Sequence, residues 1–324
     1  MISRVLTTFD PLVRLLLAAI LLASFLPVSG EMRPIAQGIS DAAIFVLFLL
    51  NGLRLPRREV LRGIGNWRLL VPLVLWSFGA MGLMGWGLWQ LGAAVLPPTV
   101  ALGLLFLGIL PSTVQSATAY SSIGGGNVAV SVVAAAVLNI LGVLVSAPLF
   151  SLVGGSAAGG IDLGGLERIA LILLLPFAIG QLLQTWLGGF VKDHKMAATW
   201  MDRISIAIAV YVAFSGAVEQ GLWGRVDLPA WAALIALVAV FLGFGFGGSW
   251  LASGALGLAR PERISFLFAG AQKSIALGAP LATVLFPPAI AGLLLLPVLV
   301  YHLLQLVLSA PLAARLSRLQ LSSR

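Results

Sequence analysis

Two polar stretches interrupt long apolar segments of the chain, and both contain residue types that can bind ions or polar molecules. The first, residues 110–131, contains Pro111, three consecutive glycines and many hydroxyl and amide side chains. The second, residues 269–280, places Lys273 between an amide and a hydroxyl. Broken helical backbone in a bilayer is tolerated only where it is buried in protein or lines a cavity. Two such interruptions at corresponding positions in two halves of a chain are typical of the substrate site of a membrane transporter.

A break in a helix exposes backbone groups that attract charge. The incoming half-helix ends in carbonyl groups with partial negative charge, and the outgoing half begins with N–H groups with partial positive charge. We therefore predict a site with affinity for a cation and an anion side by side. A single hydroxyl could instead bond freed carbonyls locally or support close helix packing. The candidate binding residues are Ser112, Thr113, Gln115, Ser116, Thr118, Asn127, Ser131, Gln272, Lys273 and Ser274.

Lys273 is the sharpest candidate because it is the only lysine or arginine predicted deep within a membrane span. A charged side chain at the bilayer centre costs several kcal/mol, and such residues usually face a functional cavity. The alternative is that Lys273 lies near an interface and extends its ammonium to water. If it is deep, it either acts as a fixed cation in the place of a bound sodium ion or exchanges a proton during transport.

The composition is that of an all-α polytopic membrane protein. Of 324 residues, 60% are hydrophobic and 9% are charged, and the mean hydropathy is +1.07. Several apolar runs exceed the roughly 20 residues that span a bilayer. The formal net charge of +8 comes from basic residues that flank the helices, so nucleic-acid binding is not predicted. The chain has no cysteine, which excludes a disulfide framework and a thiolate metal site.

The apolar runs predict ten transmembrane helices, with breaks in span four around 111–115 and in span nine around 270–274. The first run resembles a signal peptide, but no small-x-small cleavage site follows it, and it is counted as a span. The predicted spans are about Pro11–Val28, Pro34–Leu53, Trp67–Ala94, Pro98–Ser122, Asn127–Leu152, Leu166–Leu187, Met201–Gln220, Pro229–Leu258, Ile264–Leu285, and the run from Pro288 to the residue before Arg315.

Five spans in each half force the second half to insert upside down, which is the inverted-repeat plan of many transporters. We predict a first repeat over residues 1–155, a glycine-rich connector over 156–165 and a second repeat over 166–324. Short polar loops are predicted at 192–195, between spans six and seven, and at 260–263, before span nine.

The distribution of Lys and Arg sets the predicted orientation, because cytoplasmic loops carry the excess of these residues. The outer side would hold only Arg33, Arg168 and Arg225. We therefore predict a protein of the cell (inner) membrane with both termini in the cytoplasm. The basic residues placed inside are Arg54, Arg57, Arg58, Arg62, Lys192, Lys195, Arg260, Arg263, Arg315, Arg318 and Arg324.

Other polar residues lie within or near the spans. Asp41 in span two and Glu219 near an end of span seven could each pair with a basic residue. His302 and Gln305 in span ten and Asn139 in span five are more typical of hydrogen bonds between helices than of ligands. The sequence contains no HExxH, Walker or Gly-x-Ser-x-Gly motif and no carboxylate pair, so an enzyme is not predicted.

These motifs resemble the bile acid:sodium symporter family, most closely its sodium/bile acid cotransporter 7-like branch. The resemblance covers nearly the whole chain, including the breaks in spans four and nine. It is carried by residues 110–116 (Leu-Pro-Ser-Thr-Val-Gln-Ser), by the Gly-Gly-Asn-Val turn at 125–128 and by 270–274 (Gly-Ala-Gln-Lys-Ser). The resemblance implies a core domain of spans three to five and eight to ten, and a panel domain of spans one, two, six and seven. It also implies secondary active transport of organic anions, often driven by sodium.

The resemblance further implies a sodium site, which this sequence keeps only in part. Ser116, Ser131 and Gln272 match three of its ligands. Ala117 stands where the family has an asparagine, Ala135 replaces a second hydroxyl on span five, and the glutamate position falls on Phe268. We therefore treat the three matching residues as remnants of a metal site.

Sodium prefers several oxygen ligands and negative surroundings, whereas this chain has lost ligands and gained an ammonium. Our hypothesis is that Lys273 replaces a bound cation and that transport of a small organic anion is sodium-independent or proton-linked. Sodium or a proton is the possible coupling ion, and no other cofactor is expected. The alternatives are an efflux carrier of the same architecture and a non-transporting membrane regulator of ion homeostasis. Nothing in the sequence predicts an oligomeric state.

Overall fold

A computed structural model of the protein describes residues 10–54, 66–155, 167–168 and 170–321. Every regular element in these ranges is a helix, which confirms the all-α fold. The helices are α1 (Pro11–Phe25), α2 (Met32–Arg54), α3 (Trp67–Gly92), α4 (Pro98–Ile109), α5 (Val114–Ile123), α6 (Val128–Gly154), α7 (Ala170–Asp193), α8 (Lys195–Glu219), α9 (Leu222–Arg225), α10 (Leu228–Ala255), α11 (Arg260–Ala271), α12 (Ile275–Leu285) and α13 (Pro288–Leu321).

The helices have the length and hydropathy of membrane spans. Counting α11 and α12 as one, eight segments of the described chain can cross a bilayer, or nine if the bent pair α4 and α5 is one span. The remaining apolar helix, α1, is shorter. The protein is therefore a polytopic membrane protein, while the arrangement of ten spans in two inverted repeats stays a prediction.

The chain divides into two compact units, and the first contains α1, α2, α7, α8, α9 and residues 278–295. Its helices α2 and α7 approach closely where Gly52 meets Gly180. A Cβ atom on either glycine would lie 2.3 Å from a backbone carbonyl oxygen of the other helix. Because real Cβ contacts are never that short, the contact between the two backbones requires glycine at both positions.

Ion pairs in this unit provide partners for three acidic residues within its helices. The Asp41 carboxylate accepts two hydrogen bonds from Arg168, at 2.7 and 3.0 Å. Glu219 pairs with Arg33, and Asp202 pairs with Arg54. Both Asp41 and Glu219 therefore have the basic partner that the sequence allowed without identifying it.

The second unit contains α3 to α6, α10, α11 and, of the described C-terminal residues, 296–321. Helix α4 is at its centre, since each residue from Val100 to Ile109 is buried. A helix that is apolar all round is suited to such a position. It packs against α3 through Gly85 and Gly108, where an added Cβ would lie 2.8 Å from a carbonyl oxygen of the facing helix. Helix α3 changes to π-helical geometry between Leu75 and Ala80.

Several predicted loops are shorter in the structure, and these predictions were wrong. The polar loop expected at 192–195 is reduced to His194, because α7 continues to Asp193 and α8 begins at Lys195. The loop expected at 260–263 is the first turn of α11, where Pro261 and Glu262 suit a helix N-terminus. Helix α13 continues past Arg315 and Arg318 to Leu321, since a helix need not end where hydropathy falls.

Some sequence predictions fall outside the described residues. They are the basic loop residues Arg57, Arg58 and Arg62, the connector at 156–165 and Arg324. Their placement stays a prediction, as do the two inverted repeats and the core and panel domains.

Candidate functional site

Both predicted helix breaks are present, and both belong to the second unit. Between α4 and α5 the chain is non-helical at 110–113, and the two helices are bent by 60°. Pro111 accounts for this break, because proline lacks an N–H group and restricts the preceding residue to extended backbone. Leu110 indeed has φ −71° and ψ 147°. Between α11 and α12 the chain is non-helical at 272–274.

The two breaks contact each other directly. The Ser274 backbone N–H donates to the Pro111 carbonyl oxygen at 2.8 Å. Ser274 also begins the next helix, since its Oγ accepts from the Leu277 N–H at 3.3 Å. This is the usual role of serine at a helix N-terminus. The predicted meeting of two interrupted helices is therefore seen in the backbone.

Side chains of neighbouring helices satisfy the backbone groups that the breaks release. Gln305 accepts from the Lys273 N–H at 2.8 Å and donates to the Lys273 carbonyl at 3.0 Å. Asn139 donates to the Ser112 carbonyl at 2.8 Å. Buried backbone polar groups require such partners, most of all inside a membrane. The interpretation of Gln305 and Asn139 as hydrogen-bond groups between helices is confirmed.

The Lys273 ammonium is enclosed by carbonyl oxygens. The side chain is only 1% exposed, and Nζ donates to the carbonyls of Gly108 and Leu110 at 2.7 Å each and of Ser77 at 2.9 Å. An ammonium has three N–H donors, so all three are used. The alternative that Lys273 extends to a membrane interface does not fit this geometry.

Two of these oxygens lie at a helix end, and the third lies in a π-helical segment. Gly108 and Leu110 lie at the C-terminal end of α4, where carbonyls lack helical partners and the helix dipole is negative. Ser77 lies in the π-helical part of α3, and such segments are frequent at functional sites. The sequence has no Asp or Glu at 104–116 or 268–278, so dipoles rather than a carboxylate surround the ammonium.

Three side-chain oxygens converge beside Lys273. Thr113 Oγ1, Ser116 Oγ and Gln272 Oε1 lie 2.5 Å from one another. Two hydroxyl hydrogens serve three oxygen–oxygen contacts, so the group presents more acceptors than donors. The Gln272 amide nitrogen donates to Ser309 Oγ at 3.2 Å, which orients the oxygen toward the hydroxyls. Such a cluster suits a small cation or a polar donor.

Two predicted ligands lie in a different hydroxyl cluster. Ser131 Oγ donates to Ser121 Oγ at 2.7 Å, and Ser121 lies 3.2 Å from Ser265 Oγ. Ser265 also donates to the carbonyl of Asn127 at 2.9 Å. In the described chain no hydrogen bond joins this cluster to Gln272. Of the three predicted sodium-site remnants, Ser116 and Gln272 are thus brought together and Ser131 is not.

The remaining candidates have individual positions. Ser112 Oγ makes one long hydrogen bond of 3.5 Å to the Thr113 carbonyl. Gln115 is exposed in the first turn of α5. Thr118 Oγ1 is buried, with no hydrogen-bond partner in the part of the chain that is described. Asn127 begins α6 and accepts from the Val130 N–H at 3.2 Å.

A polar stripe on α13, which sequence reasoning used only in part, supports the second break. Tyr301, Gln305 and Ser309 recur every four residues and therefore share one helix face. Tyr301 donates to the Ala271 carbonyl at 2.5 Å, so the three side chains contact three successive residues, 271–273. Their four-residue spacing is the feature of the sequence from which this polar face could have been predicted.

The carbonyls around Lys273 could not have been predicted in this way, because every residue type has a carbonyl.

Known proteins share this sequence over almost its full length. Residues 10–318 match the SBF-like CPA transporter family. An uncharacterized protein of Pseudomonas aeruginosa is 36% identical over 304 residues, which cover 94% of this chain and 91% of that protein. YfeH of Escherichia coli, named as a candidate symporter, is 35% identical over 311 residues, covering 95% and 93%. Sodium/bile acid cotransporter 7 of Mus musculus is 22% identical over 293 residues, covering 87% and 84%.

Proposed function

Because the chain belongs to the SBF-like CPA transporter family, we propose that it moves a small organic anion by alternating access, with the Lys273 ammonium permanently in the place of a coupling cation. The resemblance to the bile acid:sodium symporter family is confirmed. The chain is a multi-pass membrane transporter and not an enzyme, and it acts on a small molecule within a lipid bilayer. What we propose beyond the family is the class of substrate, the role of Lys273 and the coupling ion.

The observation that carries the proposal is the set of three carbonyls around Nζ. Oxygens at a helix break are suitable ligands for sodium, and here an ammonium uses them at 2.7 to 2.9 Å. A tethered cation of this kind is not released when the transporter changes state. The site can therefore keep its charge without drawing an ion from either side of the membrane.

Repulsion from Lys273 also disfavours sodium at the neighbouring oxygen cluster of Thr113, Ser116 and Gln272. Two unit charges about 5 to 10 Å apart repel by about 1.5 to 3 kcal/mol at an effective dielectric constant of about 20. That energy corresponds to a loss of about ten- to a hundredfold in affinity. The cluster is better suited to hydrogen-bond donors of a substrate that carries no positive charge.

The same charge favours an anionic substrate. The first turn of α5 begins at Val114, which is 41% exposed, and Thr113 makes no side-chain cap there. Free N–H groups at a helix N-terminus attract anions, and the positive charge of Lys273 behind them adds to the attraction. Lys273 is too buried to touch the substrate, so its contribution is electrostatic. Gln115 is the exposed side chain placed to contact the anion.

Two measurements test the proposal. The thermal stability of the purified protein is compared in equal concentrations of sodium, potassium and choline chloride. Uptake of a bile acid, chosen because the mouse relative is named for one, is measured in proteoliposomes with a sodium gradient, a proton gradient or neither. We expect no sodium-specific stabilisation and no sodium dependence of uptake. Strong sodium dependence with Lys273 intact contradicts the proposal.

A panel of organic anions tested by thermal shift identifies the substrate class. Gln115→Ala is expected to reduce anion-dependent stabilisation, whereas Gln220→Ala, an exposed glutamine after α8, is the matched control and is expected to retain it. If no anion stabilises the wild-type protein and none is taken up, the non-transporting regulator is the better reading.

We further propose that the protein lies in the cell (inner) membrane and that both of its termini are cytoplasmic. The absence of native cysteine makes labelling straightforward. His194→Cys and Trp223→Cys introduce single thiols at exposed positions predicted inside and outside, respectively. In intact cells a membrane-impermeant maleimide is expected to label only the second variant. The opposite pattern reverses the orientation.

A further inference from the structure

The second unit contains an open apolar groove between α3 and α6, away from the helix breaks. It has a volume of about 310 Å³, and all its lining side chains are apolar or aromatic. The α3 side is a stripe from Trp67 to Leu75 with the spacing of one helix face. The α6 side is formed by Val137 and Leu141, one turn apart. We call this feature the α3–α6 groove.

One end of the α3–α6 groove is marked by a cation. Trp67 begins α3, lines the groove and is 62% exposed. The Arg68 guanidinium lies 5.8 Å from the centre of the Trp67 ring. In the ranges that the structure describes, no acidic side chain forms an ion pair with Arg68. A tryptophan and an arginine at the start of a membrane span are typical of the bilayer interface.

We propose that the α3–α6 groove binds an anionic phospholipid, with an acyl chain along Val74, Val137 and Leu141 and the phosphate beside Arg68. Both helices are long and apolar enough to cross the membrane, so hydrocarbon is the surrounding medium of the groove. A chain that fills the groove contacts apolar side chains only. The guanidinium, which forms no ion pair within the described ranges, then selects for negative charge in the headgroup, and guanidinium groups bind phosphate in a forked geometry.

A helix from a second copy of the protein is less suited to this groove. An apolar helix face that packed on the groove would leave the Arg68 guanidinium with no acidic partner among the residues that the structure describes, whereas a phosphate supplies one. The proposal does not depend on the transported substrate or on Lys273.

A single-cysteine experiment in the otherwise cysteine-free chain tests the site. Leu141→Cys places a bimane label in the groove, and Leu144→Cys places it on the same helix at a residue that is 52% exposed and does not line the groove. The labelled proteins are reconstituted in phosphatidylcholine vesicles containing equal small fractions of brominated phosphatidylglycerol or brominated phosphatidylcholine. Bromine quenches bimane on contact.

At position 141 we expect quenching by brominated phosphatidylglycerol to exceed quenching by brominated phosphatidylcholine about fivefold. One basic side chain attracts an anionic lipid by about 1 kcal/mol, which corresponds to this ratio in binding. Position 144 is expected to show no preference. Arg68→Gln is expected to abolish the preference and Arg68→Lys to keep most of it. Equal quenching by both lipids at 141, or a preference unchanged in Arg68→Gln, overturns the proposal. So does cross-linking of two unlabelled copies through the thiol of the Leu141→Cys variant, which would assign the groove to a dimer interface.

Discussion

Replacing Lys273 with methionine tests the carbonyl-bound ammonium, because methionine has a similar length and no donors. In the wild-type protein, three hydrogen bonds from a charged donor, each worth about 1.5 to 3 kcal/mol, offset a desolvation penalty of several kcal/mol. The net contribution of the ammonium itself is therefore small. The variant is destabilised mainly because the carbonyls of Ser77, Gly108 and Leu110 lose the hydrogen bonds that Lys273 donates to them.

Each buried carbonyl without a partner costs about 1 kcal/mol at the low end, and Gly108 and Leu110 are at a helix end, so Lys273→Met is expected to lose about 2 kcal/mol of stability or more. The loss is measured by detergent-induced unfolding in potassium chloride, followed by tryptophan fluorescence. Lys192→Met is the matched control, since Lys192 is exposed near the end of α7 and should change stability by no more than about 0.5 kcal/mol.

The same variant has a second expected property. With the ammonium gone, its carbonyls and the oxygen cluster become available to a sodium ion without the repulsion of about 1.5 to 3 kcal/mol estimated above. Sodium chloride should then stabilise Lys273→Met relative to potassium chloride, and the wild-type protein should show no difference. If the variant is as stable as Lys192→Met and responds to neither salt, the proposed role of the three carbonyls that bind the Lys273 ammonium is refuted.

Three further predictions concern the scaffold and use the same unfolding assay. Gln305→Leu removes the partners of the Lys273 backbone N–H and carbonyl, so a loss of about 2 to 4 kcal/mol is expected; a loss below about 1 kcal/mol contradicts the assignment. Gly85→Ala places a Cβ 2.8 Å from a carbonyl of α4 and should destabilise by about 1 to 3 kcal/mol, whereas Gly87→Ala on the same helix meets nothing within 4 Å and should be neutral or stabilising. Asp41→Asn weakens a pair whose side chains are 26% and 36% exposed, so a loss below about 1 kcal/mol is expected, and a larger loss shows a buried role.

The sequence predicted the features of the site that depend on local chemistry. Pro111 dictates a break because its ring excludes helical continuation, and Lys273 stands out because its charge lies in an apolar segment. The pairing of Ser116 with Gln272 followed from the family resemblance. These signals belong to single residues or short motifs, so no knowledge of the packing was needed to see them.

Other features could not be predicted because they depend on backbone placement. The oxygens around Lys273 come from Ser77, Gly108 and Leu110, whose side chains have no part in the contact. The π-helical part of α3 has no marker in the sequence. Ser131 forms a hydrogen bond with Ser121 and not with Gln272. The rotation of α6 about its axis, which residue type does not reveal, decides which of the two clusters this hydroxyl contacts.

A tethered cation has a consequence for the direction of transport. If Lys273 replaces a transported ion, each cycle with a monovalent anion moves one net negative charge across the membrane. A membrane potential of about 100 mV, negative inside, then opposes uptake of the anion by about 2.3 kcal/mol and favours its export by the same amount. Uptake therefore requires a second coupled cation or an inward concentration gradient of the anion large enough to offset this energy, whereas export requires neither. A carrier that retains the hydrogen bonds from Lys273 to the three carbonyls and shows no proton coupling is therefore expected to work as an exporter.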